Sequence, residues 1–349
     1  MKTETKILIS WYKKSNYKMP WRGTSDPYKI WISEIMLQQT QVKTVINYYN
    51  QWINTLPTVE DVAQANIDTI LKLWEGLGYY KRAHNIHDTA QIILKKYNSQ
   101  IPNDYNELIS LKGIGDYTAS SILSIAFNQR YPAVDGNLKR VISRLKNFNN
   151  IQLKKSIKKI ILNLMINSNA GEVNQALMDL GREVCTSNQP KCQLCPLISI
   201  CKAFKTRQIA KYPEKVAKKP KPEFDVIVGM IYKNNNFLIS KRKKDGFLGG
   251  LWELPGGKKN PKESHLDCLK REIQEELDIR VDIGNKIGKI KHHYSHFSIN
   301  LIGYECQYKN GSAKPLSSDK IKWIKTNKID NFAFPKSTIK LFSLLGDQI

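Results

Sequence analysis

Apolar side chains recur at helical spacing through the first two hundred residues and then change to an alternating pattern. Short amphipathic segments separated by brief polar loops predict a helical domain up to about residue 204. Beyond residue 224 the pattern is typical of strands and hairpins, with one helix in between. The predicted helices cover 7–14, 30–38, 68–74, 119–127, 137–145 and 263–277, and the predicted strands cover 226–232, 237–241 and 294–308.

A basic stretch that contains several prolines separates the two patterns. Residues 217–222 consist of one Ala, three Lys and two Pro, a composition that is typical of a linker. The sequence therefore predicts a helical domain over 1–204, a linker over 205–223 and an α+β domain over 224–349. A chain of 349 residues is long enough for two separate hydrophobic cores.

The charge of the chain narrows the classes of partner. There are 55 Lys and Arg against 31 Asp and Glu, a net charge of +24. This excess favours a polyanion, with nucleic acid ahead of an anionic membrane surface. No apolar run reaches the roughly 18 residues of a spanning helix, and the first residues do not have the pattern of a signal peptide. We therefore expect a soluble, cytoplasmic monomer that does not enter a membrane.

A glycine-containing turn precedes the predicted helix at 119–127. Gly113 and Gly115 suit close approach of the backbone, and N–H groups at a helix N-terminus suit a phosphate. Asp135 follows an apolar pair and precedes the helix at 137–145, which would bring a carboxylate near that phosphate. The alternative is a tight helix–helix turn followed by an ordinary Asp helix cap.

Two further segments carry candidate polar chemistry. Glu34 lies among apolar residues of the helix at 30–38, so it is either a solvated side chain or a carboxylate in a dry pocket. Residues 37–41 contain three Gln and Thr40, which suit base edges and phosphates or form plain polar surface. Residues 76–82 combine two Gly, Leu77, two Tyr and two cations, which suits insertion into a duplex or a simple glycine C-cap.

Four cysteines crowd into seventeen residues: Cys185, Cys192, Cys195 and Cys201. In a reducing compartment this spacing indicates metal ligation and not disulfides. A structural zinc site usually uses two paired knuckles, and only one C-x2-C pair is present. The pattern favours a [4Fe–4S] cluster with a structural role, with zinc as the competitor.

A basic region follows the glycine turn. We interpret it as a phosphate-facing stripe, although a solvated face explains part of it. Its members are Lys139, Arg140, Arg144, Lys146, Lys154, Lys155, Lys158 and Lys159.

Taken together, these motifs resemble the A/G-specific adenine glycosylases of the MutY type, within the helix-hairpin-helix DNA glycosylase superfamily. The matching segments are residues 20–22, 33–42, 76–80, 111–119, 134–137, 174–181 and the cysteine loop. The second region resembles the Nudix-like domain that this family carries. The resemblance covers nearly the whole chain and implies an all-α glycosylase domain with an iron–sulfur loop, followed by an α+β Nudix-like domain.

The resemblance also implies a reaction and a set of roles. Such enzymes remove adenine that is mispaired with 8-oxoguanine or guanine in double-stranded DNA, and they carry a [4Fe–4S] cluster. By motif match Glu34 is the general acid and Asp135 stabilises or captures the sugar cation, with support from Tyr117 and Asn137. The adenine pocket would contain Trp21, Arg22, Leu37 and Asp179. DNA contacts would come from Gln39, Thr40, Leu77, Tyr79, Gly113 and Gly115, with the cluster held by Cys185, Cys192, Cys195 and Cys201.

The chemistry of depurination independently supports the assignment, because two carboxylates in unlike environments meet its needs. The adenine ring needs a proton, and the sugar cation needs a negative neighbour. An unperturbed Glu has a pKa of about 4.3 and is almost fully ionised at neutral pH. An apolar pocket that raises the pKa to about 6 makes it a usable acid.

Two other functions remain as alternatives to adenine removal. A bifunctional glycosylase/lyase of the endonuclease III type needs a lysine that forms a Schiff base, and Tyr117 stands where the related lyases have it. A DNA-binding module without catalysis would not need Glu34 and Asp135 together.

A nearly complete Nudix box lies in the second region. Glu272, Glu275 and Glu276 are predicted on one face of the helix at 263–277, where they could hold Mg²⁺. Nucleotide pyrophosphate hydrolysis is therefore an alternative activity, against an amphipathic helix with solvated acids. The predicted apolar face consists of Leu266, Leu269, Ile273 and Leu277.

The last candidate motif is predicted to begin a strand. Tyr294, Ser295 and His296 resemble the Phe-Ser-His loop with which the family recognises 8-oxoguanine, with Tyr in place of Phe. Short hydroxyl and imidazole groups suit the extra oxygen and protonated nitrogen of that base. The alternative is a polar strand end.

Overall fold

The computed structural model describes residues 2–15, 17–214 and 220–346. Residues 215–219 of the predicted linker lie outside the described residues. The chain divides into two compact units, each formed from two segments. The first unit contains Met1–Gln64 and Asn85–Ala217, and the second contains Ala65–His84 and Lys218–Ile349.

Short helices fill the described chain up to Lys205. They are α1 (Thr3–Ser15), α2 (Pro27–Leu37), α3 (Val42–Thr55), α4 (Val59–Gln64), α5 (Ile67–Leu73), α6 (Lys81–Lys96), α7 (Tyr105–Ser110), α8 (Asp116–Phe127), α9 (Gly136–Lys146), α10 (Asn150–Leu164), α11 (Ala170–Asp179) and α12 (Lys202–Lys205). A π-helical turn over Leu180–Val184 extends α11. Helices α2, α8, α9 and α11 form the centre of the first unit, because nearly all of α2 and α11 is buried.

Local capping explains where these central helices begin. Asp26 accepts a hydrogen bond from the Tyr28 N–H at 2.9 Å, and Pro27 occupies the first turn of α2. Asn149 and Gln152 form a reciprocal capping box at the start of α10. The five helices predicted in this part of the chain are all present, with ends shifted by up to four residues.

The second unit is built on a seven-stranded mixed sheet. The strands are β1 (Glu223–Lys233), β2 (Asn236–Lys241), β3 (Trp252–Glu253), β4 (Gly256–Lys258), β5 (Ile279–His293), β6 (Ser298–Gly311) and β7 (Lys320–Ile324), with helices α13 (His265–Leu277) and α14 (Lys336–Phe342). The main order is β3-β2-β1-β6-β5, while β4 pairs with β1 and β7 with β2. Strand β1 runs parallel to β6, with Ile227 opposite Ile302, and every other pairing is antiparallel.

The sequence prediction is wrong about the strand at 294–308. A long strand, β5, precedes it, and β6 begins only at Ser298. Tyr294, Ser295 and His296 therefore lie in the turn between β5 and β6, not at the start of a strand. Strand β5 was missed because it lies at the edge of the sheet, where one face stays polar and bulges interrupt the alternation.

The segment Ala65–His84 packs as part of the second unit. Lys241 Nζ contacts Asp68 Oδ1 at 2.5 Å, and the Phe334 N–H donates to Glu75 Oε1 at 2.7 Å. The side chains of Ile70 and Trp74 are fully buried. A helix as short as α5 has little stability of its own, so these contacts determine where it packs.

Among the residues described, no helix has the length and apolar composition needed to cross a membrane.

Candidate active site

Glu34 is a buried carboxyl group near the end of α2. Its side chain is only 3% exposed, which excludes the solvated alternative. Tyr117, in the first turn of α8, donates its hydroxyl to Glu34 Oε2 at 2.5 Å. Burial raises the pKa of Glu34 above its ordinary value, against the opposing effects of this hydrogen bond and the charge of Arg22.

Asp135 is a second carboxylate, which caps the N-terminus of α9. Its Oδ1 accepts from the Leu138 N–H at 2.7 Å, and its Oδ2 accepts from Asn137 Nδ2 at 2.7 Å. Burial raises the pKa of Asp135, and these hydrogen bonds oppose that rise. The charge of Asp135 also raises the pKa of Glu34, so the fold places the two carboxyl groups in one electrostatic environment.

The pair formed by Arg22 and Asp179 lies in the same environment. Arg22 Nη2 contacts Asp179 Oδ1 at 2.8 Å, and Asp179 is almost fully buried. Arg22 Nε and Asp179 Oδ2 are buried without a hydrogen-bond partner in the described protein. The pair thus contains one donor and one acceptor that no group of the described protein satisfies. Trp21 is buried edge-on against Tyr49, and Leu37 is half-buried.

Two residues of the site had no role in the sequence analysis. Asn174 Nδ2 donates to Tyr131 O at 2.9 Å, and its Oδ1 accepts from the Ala133 N–H at 3.2 Å. These bonds hold the backbone that leads into Asp135. Gly181 packs so closely against Asn137 that a Cβ at Gly181 would come within 2.6 Å of the Asn137 Cβ. Only the three-dimensional contacts distinguish such residues from ordinary helix positions.

The predicted basic stripe is wrong for two of its members. Arg144 is buried and donates to Tyr212 O at 2.9 Å and to Thr186 O at 2.6 Å. Arg140 donates to Cys185 O at 2.7 Å and to Asn137 Oδ1 at 2.8 Å. Both guanidinium groups bind carbonyls of the protein because each offers several donors to the irregular cysteine loop. The exposed lysines, including Lys139 and Lys154, can still contact phosphates.

The four cysteines come together at one cavity. Cys185, Cys192, Cys195 and Cys201 all line it, together with Arg144 and Phe204. Burial is the main cause that raises the pKa of Cys195 to about 12, and the charges of its neighbours add to it. Thiolates gathered here therefore need a positive partner. In the described chain, no three Cys, His, Asp or Glu side chains are arranged to hold a single metal ion.

The two glycines of the turn before α8 are present for different structural reasons. Gly113 has a φ of +77°, and a Cβ there would come within 2.7 Å of the Asn85 Cβ. Gly115 has an ordinary φ of −99°, and among the described residues no atom beyond its chain neighbours lies within 4 Å of where its Cβ would be. The fold requires glycine at Gly113, while the open space at Gly115 suits the close approach of a ligand.

The predicted DNA-contact residues differ in exposure. Gln39 and Tyr79 both have positive φ, at 56° and 49°, and are exposed, whereas Thr40 is half-buried. A strained backbone at two non-glycine residues is typical of functional loops. Leu77, which is predicted to enter the duplex, is buried with 6% exposure in this structure.

The predicted lesion-reading residues form a tight turn in the second unit. The Tyr294 N–H donates to Phe297 O at 2.8 Å, which leaves Ser295 and His296 exposed at the tip. The hydroxyl of Tyr294 contacts that of Ser337, which is the partner that a half-buried Tyr needs. The hydroxyls of Tyr79 and Ser295 also form a hydrogen bond.

The Nudix-like helix uses its acidic side chains within the protein. Glu276 Oε2 accepts from the Gly256 N–H at 3.1 Å, and Arg271 forms ion pairs with Glu272 and Glu275. The predicted apolar face is confirmed for Leu269, Ile273 and Leu277, which are buried. It is wrong for Leu266, which lies in the first turn of α13 and is 44% exposed.

Comparison with known proteins agrees with both units. Residues 32–165 match the model of the HhH-GPD superfamily of base excision DNA repair proteins, and residues 227–344 match that of the NUDIX domain. The chain resembles the structure of a thermostable thymine-DNA glycosylase with a TM-score of 0.54 and 24% identity, over 58% of this chain and 95% of that chain. The fold and site thus define a base excision repair protein of the helix-hairpin-helix class with a Nudix-like domain.

Two curated relatives are more specific. An adenine DNA glycosylase of Buchnera aphidicola subsp. Schizaphis graminum is 36% identical over 85% of this chain and 86% of its own length. The adenine DNA glycosylase of Buchnera aphidicola subsp. Baizongia pistaciae is 42% identical over 71% of this chain and 72% of its own length. The chain belongs to the adenine DNA glycosylase family.

Proposed function

We propose that this chain removes adenine mispaired with 8-oxoguanine or guanine from double-stranded DNA by hydrolysis of its N-glycosidic bond. The observation that carries the proposal is the buried Glu34, which is bonded to Tyr117 and lies within the field of Asp135. A raised pKa keeps a larger fraction of a carboxyl group in the acid form that can donate a proton, and a neighbouring carboxylate stabilises a cation.

The reaction follows from these two groups. Glu34 gives its proton to a ring nitrogen of adenine, and the bonding electrons of the glycosidic bond pass to the departing base. Asp135 faces the sugar cation. Water then supplies a hydroxyl group to the sugar, and its remaining proton passes to a carboxylate of the site. The adenine must first leave the helical stack, at a cost of a few kcal/mol.

The Arg22–Asp179 pair supports adenine as the base in the pocket. Its unpartnered Arg22 Nε–H is a donor and its unpartnered Asp179 Oδ2 is an acceptor. Adenine presents a ring-nitrogen acceptor beside an exocyclic amine donor. A purine with a carbonyl in place of the amine would leave the Asp179 oxygen without a hydrogen bond.

Single-turnover cleavage tests the proposed function. Duplexes with adenine opposite 8-oxoguanine, guanine or thymine are incubated with excess protein, and abasic sites are revealed by alkali. We expect rapid excision opposite 8-oxoguanine, slower excision opposite guanine and little opposite thymine. Strand breaks before alkali treatment would instead support the glycosylase/lyase alternative, and binding without excision would support the non-catalytic module.

The contrast between the hairpin glycines gives a prediction about DNA binding. Gly115→Ala should leave the thermal unfolding temperature unchanged, because the added methyl group enters open space. It should weaken binding to a mispaired duplex several-fold if a phosphate approaches that backbone. Gly113→Ala is the matched control and should lower the unfolding temperature, because it meets Asn85 at a positive φ. Unchanged DNA affinity in well-folded Gly115→Ala would argue against phosphate binding at this turn.

A [4Fe–4S] cluster is the group that the four cysteines best support. All four line one cavity, and four thiolates within seventeen residues suit a cubane cluster. Cys185, Cys192, Cys195 and Cys201 would hold it, and it would supply a rigid centre for the cysteine loop. Anaerobically purified protein should contain about four iron atoms per chain, and Cys195→Ser should lose iron and stability. One zinc per chain without iron would contradict this assignment.

Recognition of 8-oxoguanine is proposed for the turn that contains Ser295 and His296. Both side chains are exposed at its tip and carry short hydrogen-bonding groups. Ser295→Ala with His296→Ala should reduce excision from A:8-oxoguanine by about ten- to a hundredfold, the value of one or two hydrogen bonds. Excision from A:G should change much less. Equal losses on both duplexes would mean that the turn only positions DNA.

A further inference from the structure

A loop of the second unit contacts both segments that are proposed to meet the lesion. It joins β2 to β3 over residues 243–250, and we refer to it as the 243–250 loop. Two backbone hydrogen bonds close its base. The Arg242 N–H donates to Leu251 O at 2.9 Å, and the Gly250 N–H donates to Arg242 O at 3.1 Å.

The interior of this loop is also held by hydrogen bonds. The Gly249 N–H donates to Gly246 O at 3.0 Å, which forms a tight turn. Arg242 Nη1 donates to Phe247 O at 2.9 Å, while its Nε donates to Glu253 Oε2 at 2.7 Å. Glu253 is part of β3, so the guanidinium group ties the tip of the loop to the sheet. The loop therefore has one defined shape.

One end of the loop contacts the segment that carries Tyr79. His84 Nε2 donates to Gly249 O at 2.9 Å, because a carbonyl can only accept. Gly250 has a φ of +79°, and a Cβ there would come within 2.9 Å of Leu71 and 3.1 Å of the His84 ring. The backbone of the loop thus packs directly on Ala65–His84.

The other end of the loop contacts the turn over residues 294–297, which we refer to as the lesion-reading turn. The ring of Phe247 lies 5.1 Å from that of Tyr294 and 5.3 Å from that of Phe297, measured between centroids. These two residues flank Ser295 and His296 in the chain. Phe247 is 51% exposed, so its side chain lies at the surface and not in the hydrophobic core. Its ring pairs with both residues that frame the turn.

We propose that the 243–250 loop determines specificity by holding the lesion-reading turn at a fixed position relative to the segment that carries Tyr79. Ser295 and Tyr79 then meet the duplex as one preformed surface. The inference rests on the proposed lesion-reading function. Phe247 and His84 act through other residues, so they are positioning residues. Preorganisation of the turn lowers the entropy cost of each contact that it makes with the duplex.

Replacement of Phe247 tests the proposal through the ratio of single-turnover excision rates on A:8-oxoguanine and A:G. Phe247→Ala should lower this ratio about three- to tenfold, since an aromatic cluster of this kind is lost. Phe247→Tyr keeps the ring and should retain the ratio. Leu266→Ala, which removes another exposed apolar side chain of the same unit, should also retain it. Unfolding temperatures of all three variants should match the wild type.

The contact with His84 is tested separately. His84→Phe keeps a ring but removes the donor to Gly249, and it should lower the ratio. His84→Gln still offers an N–H donor and should restore most of it. Loss of excision on both duplexes alike in folded His84→Phe would contradict a role in discrimination.

A double-mutant cycle separates this inference from the function on which it rests. If the loop positions the turn, Phe247→Ala in a background of Ser295→Ala with His296→Ala should produce little further loss of the ratio. Independent, additive losses would overturn the positioning role, as would a wild-type ratio in Phe247→Ala. A wild-type ratio in Ser295→Ala with His296→Ala would instead contradict the proposed lesion-reading function.

Discussion

Glu34→Gln should reduce excision of adenine from an A:8-oxoguanine duplex by about a hundred- to ten-thousandfold, the range expected for loss of a general acid. Glutamine fits the same volume and can accept the hydrogen bond from Tyr117, but it has no proton to give. Binding to the duplex should change little, because the side chain is buried and the substitution keeps its shape. Single-turnover cleavage and equilibrium binding measure the two effects separately.

The control for this variant is Glu107→Gln, which neutralises an exposed glutamate of the same unit. It should retain wild-type excision. The raised pKa of Glu34 predicts that wild-type excision declines as pH rises through that pKa, because the acid form is lost. The ionised carboxylate also destabilises the fold above that pH, so Glu34→Gln should be no less stable than the wild type at pH 8. Near-normal excision by Glu34→Gln would refute the assignment.

Asp135→Asn should reduce excision by about a hundred- to a thousandfold, the usual effect of removing one electrostatic stabiliser of a transition state. Asparagine caps a helix as well as aspartate does, so the Leu138 N–H keeps its acceptor. The cation, however, loses its negative neighbour. The rate of the chemical step in single-turnover experiments measures this loss, with the duplex at saturating concentration.

The Asp135 variant also has a built-in control for structure. Its amide nitrogen would face the amide of Asn137, so one hydrogen bond is lost, at about 1 kcal/mol of stability. Asn137→Ala loses the same hydrogen bond, and also the one that Arg140 donates to Asn137 Oδ1, but it keeps the carboxylate. Excision that falls equally in both variants would indicate that position 135 supports the fold and does not stabilise the cation.

The sequence by itself determined the class of fold and most of the local structure. Helical spacing, caps and glycine turns act within a few residues, so α2, α8 and α9 could be predicted from local pattern. The family resemblance named the two carboxylates and the four cysteines as a set, because short motifs preserve residue types at fixed spacing. Strand β5 could not be predicted in this way, because it lies at the edge of the sheet and much of it is polar.

Only the tertiary structure decided which side chains face one another. It shows that Glu34 is buried, that Arg140 and Arg144 bind carbonyls and not phosphates, and that Asn174 supports the backbone before Asp135. It also assigns Ala65–His84 to the second unit. Burial and long-range hydrogen bonds depend on contacts between residues far apart in the chain, and residue spacing along the sequence carries no information about those distances.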